Sequence, residues 1–317
     1  SSIKNLLHLS IPIFFANLAI PLVAIVDTGL MGNLDDASYL TATSIASSLF
    51  SMIFFSFGFL RMGTVGMVAQ AHGSNQYNEI VDLVFRNITF VIVISLLLIF
   101  LQHFIFNLGL QIFDLSNDTE KYFKDYFYIR IYSSFGELTI FVITGLFIGL
   151  QKTKISSVVV GFFSVTNIIF SLFFVLYFKL NVTGVALGTL VSSTLTSFIF
   201  LIYTFFELKK LTNINFDIKK IFNVKKIQNI FNINFNIFIR TVLLTFSFLF
   251  FTYLGNTISE DVVAANTILI NLVFLSAFIL DAYAFSTEGI VGYSIGSKNI
   301  TLLRNVIKNS FMLSAST

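Results

Sequence analysis

The stretch ITFVIVISLLLIFLQHFIFNLGLQIF, residues 88–113, contains no Asp, Glu, Lys or Arg along its whole length. A helix of about 20 predominantly apolar residues is long enough to cross the hydrocarbon core of a bilayer. The composition of the whole chain agrees, because 56% of its 317 residues are hydrophobic and 11% are charged. A soluble domain carries about 25% charged residues. The sequence therefore predicts an all-α polytopic protein embedded in a lipid bilayer.

Hydropathy predicts eight spans, and a ninth that opens near residue 302. The eight are 8–33, 38–71, 84–112, 122–150, 155–178, 182–206, 229–255 and 262–293. Loops on the N-terminal side of the spans carry thirteen Lys or Arg residues, against three on the opposite side. Since basic loops stay in the cytoplasm, we expect a cytoplasmic N-terminus in the plasma (inner) membrane.

The residues that enzymes need for catalysis do not form any recognisable pattern in this sequence. The chain has no cysteine, and its three histidines, His8, His72 and His103, stand far apart. No HExxH motif, nucleophile elbow or phosphate loop occurs. The net charge of +3 resides in loops and does not indicate a nucleic-acid partner. We expect no enzymatic activity, no cofactor and no metal site, other than Na⁺ at an acidic side chain.

An internal repeat relates the start of the chain to its last third. The segment that begins at Gly32 aligns without gaps with the segment that begins at Gly255, and eleven of 43 aligned positions are identical. The repeat restarts after six spans, and an even number gives both copies the same orientation in the membrane. Such parallel repeats are one of the recognised plans of secondary transporters.

The repeat predicts two pseudo-twofold bundles of six helices, the second of them incomplete. We assign residues 1–206 to the N-terminal bundle, 207–228 to a basic cytoplasmic linker, and 229–317 to helices 7, 8 and the start of 9. We therefore expect a chain truncated after about 8–9 of some twelve helices. Two interpretations of the linker stay open: an amphipathic segment along the membrane surface, or a solvated charged connection.

Asp27 stands alone in an apolar run, IPLVAIVDTGLMG, residues 20–32. A charge inside the membrane costs at least about 2.5–3.5 kcal/mol, so it needs a function or a partner. A carboxylic acid can avoid this cost by holding a proton when it leaves water and releasing the proton when water returns. That exchange is the physical basis of proton coupling. The alternative is that Asp27 only caps or pairs inside the bundle.

Five segments together resemble one family of transporters. Residues 20–40, 59–76, 128–160, 181–191 and 280–299 resemble the MATE (multidrug and toxic compound extrusion) transporters, and among these the DinF-like branch. The resemblance covers essentially the whole chain in order. It implies export of small organic molecules, often cationic, in exchange for H⁺ or Na⁺ moving inward. We expect such a protein to be a monomer.

The same resemblance assigns roles to residues of the first helix. In the family, a first-helix acid binds the coupling ion, and the matching residue is Asp27. Bending of that helix at a proline accompanies protonation of the acid in related proteins. Pro12 and Pro21 are the two prolines of the chain, and both lie in the predicted first helix.

The other ion-site positions fall on the fifth and sixth helices, with one departure from the family pattern. Asn167 and Thr189 match the expected Asn and Thr, but Ser171 stands where the family carries a second Asp. With Asp27 these side chains supply four oxygen-bearing groups, and Asn167 and Ser171 share one helix face. The alternative for Asn167 and Thr189 is an interhelical hydrogen bond. Asp281 and Glu288 match acidic positions of the C-terminal bundle.

The remaining charges inside spans admit structural explanations. Arg61 and Arg130 are expected to fix helix ends or to pair with acids such as Glu137. For Asp281 and Glu288, which lie about two helical turns apart on one face, a role in substrate or proton handling competes with pairing to Arg240. The small residues of GTVGMVAQAHG, residues 63–73, predict close helix packing.

The sequence thus favours a cation-coupled multidrug antiporter that works by alternating access, with H⁺ favoured over Na⁺ because the N-terminal bundle retains one acid. The expected mechanism is that protonation of Asp27 bends the first helix near Pro12 or Pro21, shrinks the cavity and expels the drug. One alternative is a lipid-linked substrate flippase of the same superfamily, although such proteins use cationic cavities. Another is a truncated remnant that does not transport.

Overall fold

The computed structural model describes residues 3–113, 115–213, 221–258 and 260–317, and these residues form helices joined by short turns. We number the α-helices α1 to α12. The first six are α1 (Ile3–Gly32), α2 (Ala37–Ser56), α3 (Phe59–Gly73), α4 (Tyr77–Phe100), α5 (Gln102–Ile112) and α6 (Asn117–Arg130). The others are α7 (Ser134–Gly149), α8 (Thr153–Leu172), α9 (Asn181–Leu211), α10 (Val224–Ile258), α11 (Glu260–Gly296) and α12 (Ile300–Ser316).

Eight helical stretches among the described residues are long and apolar enough to cross a membrane, judged by length and composition. Each overlaps one of the eight predicted spans, and α12 occupies the place of the predicted ninth. The predicted span 84–112 was wrong in its bounds, because the helix runs over Tyr77–Phe100 and Gln102–Ile112 form the separate helix α5. The all-α polytopic fold class is therefore confirmed. The apolar faces of many helices point outward, including Phe100 on α4, which is 83% exposed. Such exposure is expected where lipid takes the place of a protein partner.

Two predicted spans that are longer than a membrane crossing needs, 38–71 and 122–150, are each interrupted. A turn at Phe57 and Gly58 separates α2 from α3, and a 3₁₀ turn over Ile131–Ser133 joins α6 to α7. In the second case the Ser133 hydroxyl donates to the Arg130 carbonyl oxygen at 2.6 Å. A hydroxyl that bonds to the backbone in this way commonly bends a helix. The extra length of these spans is thus accommodated by changes of direction.

Helices extend into both ends of the predicted linker. α9 continues to Leu211 and α10 begins at Val224, so the connection between them is shorter than the predicted 207–228. Residues 214–220, seven of the 22 residues of the predicted linker, lie outside the described part of the chain, and the amphipathic character of the linker stays a prediction. The division into two bundles at this linker stays a prediction.

The contact between α3 and α11 reproduces the offset of the internal repeat. A Cβ atom on Gly73 would collide with the Tyr293 carbonyl oxygen, and one on Gly296 would collide with the Gln70 carbonyl oxygen. Gly73 aligns with Gly296 in the repeat, and Gln70 aligns with Tyr293. Reciprocal contacts of this kind are what a two-fold axis between two equivalent helices produces. The geometry supports the repeat and the close packing predicted for residues 63–73.

Other contacts fasten α11 to the N-terminal helices around the same crossing. The Ser10 and Ser286 hydroxyls, from α1 and α11, are 2.6 Å apart and buried. Beside them lies an apolar cluster that includes Val65, Ile148 and Phe285 from three different helices. The C-terminal half of α11 therefore packs into a groove formed by α1, α3 and α7.

We predict that Gly73→Val weakens this crossing. A side chain at residue 73 would press on the backbone of α11 at Tyr293, and backbone cannot move aside as a flexible side chain can. Overpacking of this kind typically costs about 1–3 kcal/mol. Gly66→Val on the same helix is the matched control, because a Cβ there meets nothing within 4 Å. Thermal unfolding in detergent should show a lower midpoint for the first variant alone, and equal midpoints would contradict the prediction.

Candidate functional site

A cavity of about 660 Å³ opens between α1, α2, α6, α7, α8 and α9. Eighteen residues line it, and thirteen of them are polar or charged. The apolar ones are Ile20, Val23, Ala24, Leu40 and Phe163. The polar ones are Asp27, Thr28, Thr43, Ser44, Ser47, Ser48, Ser51, Tyr126, Arg130, Glu137, Ser164, Asn167 and Thr189. A cavity of this size, with thirteen polar or charged residues in its lining, is the strongest candidate for a binding site in this apolar protein.

Asp27 projects into this cavity from the C-terminal half of α1. Its Oδ1 atom is buried and has no hydrogen-bond partner among the described residues. The Ser171 side chain on α8 lies beside it, and Arg130 lines the same cavity. An incompletely satisfied buried carboxylate is able to take up a proton or a cation.

Asn167, Ser171 and Thr189 form a connected chain of hydrogen bonds behind Asp27. The Ser171 hydroxyl donates to Asn167 Oδ1 at 3.3 Å, and Asn167 Nδ2 donates to Thr189 Oγ1 at 3.1 Å. The Thr189 hydroxyl in turn donates to the Val185 carbonyl oxygen at 3.3 Å. The structure thus brings the four predicted ion-site residues together. Their role in binding an ion stays a prediction, because the same bonds also serve helix packing.

Arg130 and Glu137 form an ion pair in the cavity wall opposite Asp27. Arg130 Nη2 donates to Glu137 Oε2 at 3.1 Å, and a second guanidinium nitrogen contacts Oε1. The guanidinium also lies 5.1 Å from the centre of the Phe50 ring. The pairing of Arg130 with Glu137 agrees with the sequence-based expectation. A bidentate pair of this kind is held in one geometry and leaves Asp27 as the unpaired acid among the residues that line the cavity.

Both prolines lie inside α1, which continues through them. Proline has no N–H group, so Pro21 leaves the carbonyl of Asn17 without its usual helical donor. This weak point precedes Asp27 by less than two helical turns, and Pro12 creates a similar one near the buried Ser10. The structure places the predicted bending residues on the same helix as the acid.

Asp281 and Glu288 lie on α11, away from this cavity. The charges of Arg61, on α3, and of Arg240, on α10, act on both acids. The Arg61 guanidinium is 4.0 Å from the centre of the Phe285 ring, and the two arginines share a smaller cavity of about 130 Å³. Arg61 therefore faces the acids of α11 and not Glu137. Pairing and substrate handling both remain compatible with this arrangement.

The hydroxyl-bearing face of α2 is the part of the site that the sequence analysis missed. Ser44, Ser47, Ser48 and Ser51 line one wall of the cavity. They follow the i, i+3, i+4, i+7 pattern that places side chains on one side of a helix. The pattern is visible in SIASSLFS, residues 44–51, but nothing in the sequence indicates whether that side faces a cavity or a neighbouring helix.

The described residues contain no group of three or more His, Cys, Asp or Glu side chains that could hold a metal ion. A multivalent cation needs several oxygen ligands, usually with more than one carboxylate. The cavity offers one free carboxylate and neutral oxygens. This donor set is suited to a proton or to a singly charged cation.

This chain is similar to one protein family and to a curated protein. A family model described as MatE matches residues 12–173. The DNA damage-inducible protein F of Escherichia coli strain K12 is 28% identical over 306 residues, which cover 96% of this chain and 66% of that protein. The chain thus spans just under two thirds of the length of this curated relative.

Solved structures of transporters share the fold. One is an outward-facing conformation of a multidrug resistance MATE family transporter of the MOP superfamily, with a TM-score of 0.87 and 17% identity. Another is a MOP superfamily transporter from Pyrococcus furiosus, described as having a binding pocket of reversed polarity, with a TM-score of 0.87 and 16% identity. Each match covers 98% of this chain and 69% of the solved one. At these identities the likeness extends to the fold.

Proposed function

The chain belongs to the MatE family, whose members are transporters and not enzymes, and from this we propose that it acts as a cation-coupled antiporter. It exports small organic compounds, often cationic, by alternating access between the two sides of the membrane. We place it as a monomer in the plasma (inner) membrane, with the N-terminus in the cytoplasm because the basic loops lie on that side.

The observation that carries this proposal is the unpaired acid in a polar, membrane-embedded cavity. Glu137 is paired with Arg130, whereas Asp27 lines the same cavity and its buried Oδ1 atom has no hydrogen-bond partner among the described residues. The cavity therefore has a net charge of −1 when Asp27 is ionised and 0 when it is protonated. An organic cation and a proton compete for the same carboxylate, and this competition couples their opposite movements.

The hydrogen-bond chain favours H⁺ over Na⁺ as the coupling ion. Asn167 Oδ1 and Thr189 Oγ1 already accept bonds from neighbouring side chains. A sodium ion would have to draw these oxygens away from their partners, with a single carboxylate to compensate. A proton needs only the carboxylate itself.

Movement of α1 is the proposed link between protonation and export. Neutralising Asp27 removes its attraction to Arg130 and its need for water in the cavity. The helix then bends near Pro21 or Pro12, where backbone hydrogen bonds are missing. The bend shrinks the cavity and expels the bound compound outward. Asp281 and Glu288, with Arg61 as their counter-charge, handle substrate or protons between the bundles.

The proposal is tested with the purified protein in liposomes. An imposed pH gradient should drive accumulation of a fluorescent organic cation, and a sodium gradient at equal pH on both sides should not. Accumulation driven by sodium alone would overturn the choice of ion. Absence of transport under either gradient, from protein that unfolds cooperatively on heating, would overturn antiport and favour the non-transporting remnant. Movement of labelled lipid-linked sugars would favour the flippase, which the net negative cavity argues against.

We predict that Ser171→Asp confers dependence on Na⁺. The new carboxylate would stand beside Asp27 and provide the second acid that a sodium site requires. Ser171 is fully buried, and the backbone of Gly188 packs against it, so the larger side chain also costs some packing. Ser171→Asn is the matched control, because the asparagine side chain has nearly the same volume as aspartate but carries no charge. Sodium-driven uptake should appear in the Asp variant alone, and identical ion dependence of both variants would contradict the prediction.

A further inference from the structure

The wall that α2 contributes to the cavity carries a row of hydroxyl groups. Ser44, Ser48 and Ser51 are exposed there. Ser47 bonds to the Tyr126 hydroxyl at 3.2 Å. The Ser48 hydroxyl donates to the carbonyl of Ser44 at 2.8 Å, which leaves its oxygen lone pairs toward the cavity. A ligand that approaches this wall therefore meets hydrogen-bonding groups at successive turns of the helix.

A buried hydroxyl without a partner provides independent evidence for a polar ligand. Thr43 lines the cavity and is 4% exposed, and its Oγ1 atom has no hydrogen-bond partner among the described residues. Buried polar groups are nearly always hydrogen-bonded, and those that are not require an explanation. A hydroxyl of a bound ligand is a suitable partner for this atom.

Aromatic side chains contribute little to this wall. The chain contains 41 phenylalanines, yet Phe163 is the one phenylalanine among the residues that line the cavity, and Tyr126 is the other aromatic residue there. Phe50 and Phe54 lie behind the wall, where their rings contact the Arg130 guanidinium. Planar aromatic cations are bound chiefly by stacking and cation–π contacts, and this cavity offers few surfaces for either.

We propose that the preferred ligand of this cavity is a hydroxylated amine, an amino-polyol or amino-sugar cation with a single positive charge. Its ammonium group pairs with Asp27, and its hydroxyls bond to Thr43 and to the serines of α2. The Arg130–Glu137 pair offers a fixed donor and acceptor on the opposite wall. The volume of about 660 Å³ falls within the range of small-molecule sites. This inference rests on the proposed function and defines its substrate class.

The decisive comparison uses two amines that differ in hydroxyl groups alone. N-methyl-D-glucamine and N-methylhexylamine share a six-carbon chain and one positive charge, and only the first carries hydroxyls. We expect isothermal titration calorimetry on the detergent-purified protein to give at least fivefold tighter binding of N-methyl-D-glucamine. Equal or tighter binding of N-methylhexylamine would overturn the inference, as would binding of neither amine.

A substitution at Thr43 tests whether its hydroxyl contributes to the binding of N-methyl-D-glucamine. Thr43→Val preserves the shape of the side chain and removes its unpartnered hydroxyl, so the variant should fold at least as well. We expect three- to tenfold weaker binding of N-methyl-D-glucamine, as for one lost hydrogen bond, with N-methylhexylamine unchanged. An unchanged preference in this variant would contradict the assigned contact. Calorimetry measures binding without an ion gradient, whereas antiport is detected in the liposome assay. A wrong ligand class and an absence of antiport would therefore be distinguished.

Discussion

Asn in place of Asp27 is expected to reduce export driven by a pH gradient at least tenfold, the largest functional effect of any single substitution in this chain. Asparagine has nearly the same shape but cannot ionise, so the cavity stays at a net charge of zero. It then neither attracts a cation nor exchanges one for a proton. The measurement is uptake of an organic cation into liposomes under an imposed pH gradient. Asp35→Asn is the matched control, because Asp35 lies on an exposed turn.

Binding as a function of pH separates coupling from simple attraction. In the unaltered protein the ionised form of Asp27 binds the cation, so affinity should rise with pH as the proton leaves. In Asp27→Asn the affinity should be low and nearly independent of pH. Arg130, Glu137 and Tyr126 are the other ionisable side chains that line the cavity, and they are unaltered in the variant. Undiminished, pH-driven export by Asp27→Asn would rule out the proposed mechanism.

The features that could be predicted from the sequence are those that depend only on the order of residues along the chain. A membrane span is recognised from a continuous run of apolar residues, and an acidic residue inside such a run is easily identified. For this reason the eight spans could be inferred before the fold was known, and Asp27 could be singled out as a candidate site residue; the structure places it in the wall of a cavity. The repeat was also visible, since its offset is a property of the sequence, and the reciprocal packing of Gly73 and Gly296 agrees with it.

The features that the sequence could not predict depend on the rotation of helices about their axes. The serines of α2 could equally have faced lipid or a neighbouring helix, and their cavity-facing orientation follows from how α2 packs. The partner of Arg61 is another example, because an arginine in a span can meet any acid of similar depth. The sequence offered Glu137 as a partner, whereas the fold presents Arg61 to Phe285 and the acids of α11.

Arg86 is the clearest case of a residue whose role the fold reveals. The sequence indicated only a basic charge on the cytoplasmic side. In the structure its side chain is 1% exposed. Arg86 Nε donates to the Ile221 carbonyl oxygen at 2.6 Å, and Nη1 donates to Glu79 Oε1 at 2.8 Å. Asp82 Oδ2 is 3.5 Å from Nη2, and Lys226 contacts the second oxygen of Glu79. The guanidinium thus joins α4 to the start of the segment that leads into α10.

Arg86→Ala is accordingly expected to have the largest effect on stability. It removes the buried cation and leaves Glu79, Asp82 and the Ile221 carbonyl without their shared donor. Removing one partner of a fully buried ion pair typically costs about 3–5 kcal/mol, and we expect a cost toward the lower end of that range, because Lys226 still contacts Glu79. Arg86→Lys should be intermediate, since an ammonium group keeps the charge but cannot reproduce the fixed fork of the guanidinium. Thermal unfolding in detergent measures both.

Arg304→Ala provides the matched control, because Arg304 is exposed on α12 and such surface substitutions usually change stability by less than about 0.5 kcal/mol. A second readout tests the anchoring itself. If Arg86 holds the segment around Ile221 against α4, its loss should accelerate trypsin cleavage after the exposed Lys225 under conditions in which the rest of the chain stays folded. Equal unfolding midpoints and equal cleavage rates for Arg86→Ala and Arg304→Ala would show that the buried guanidinium does not connect α4 to α10. A lower midpoint with unchanged cleavage would restrict its role to stabilising α4.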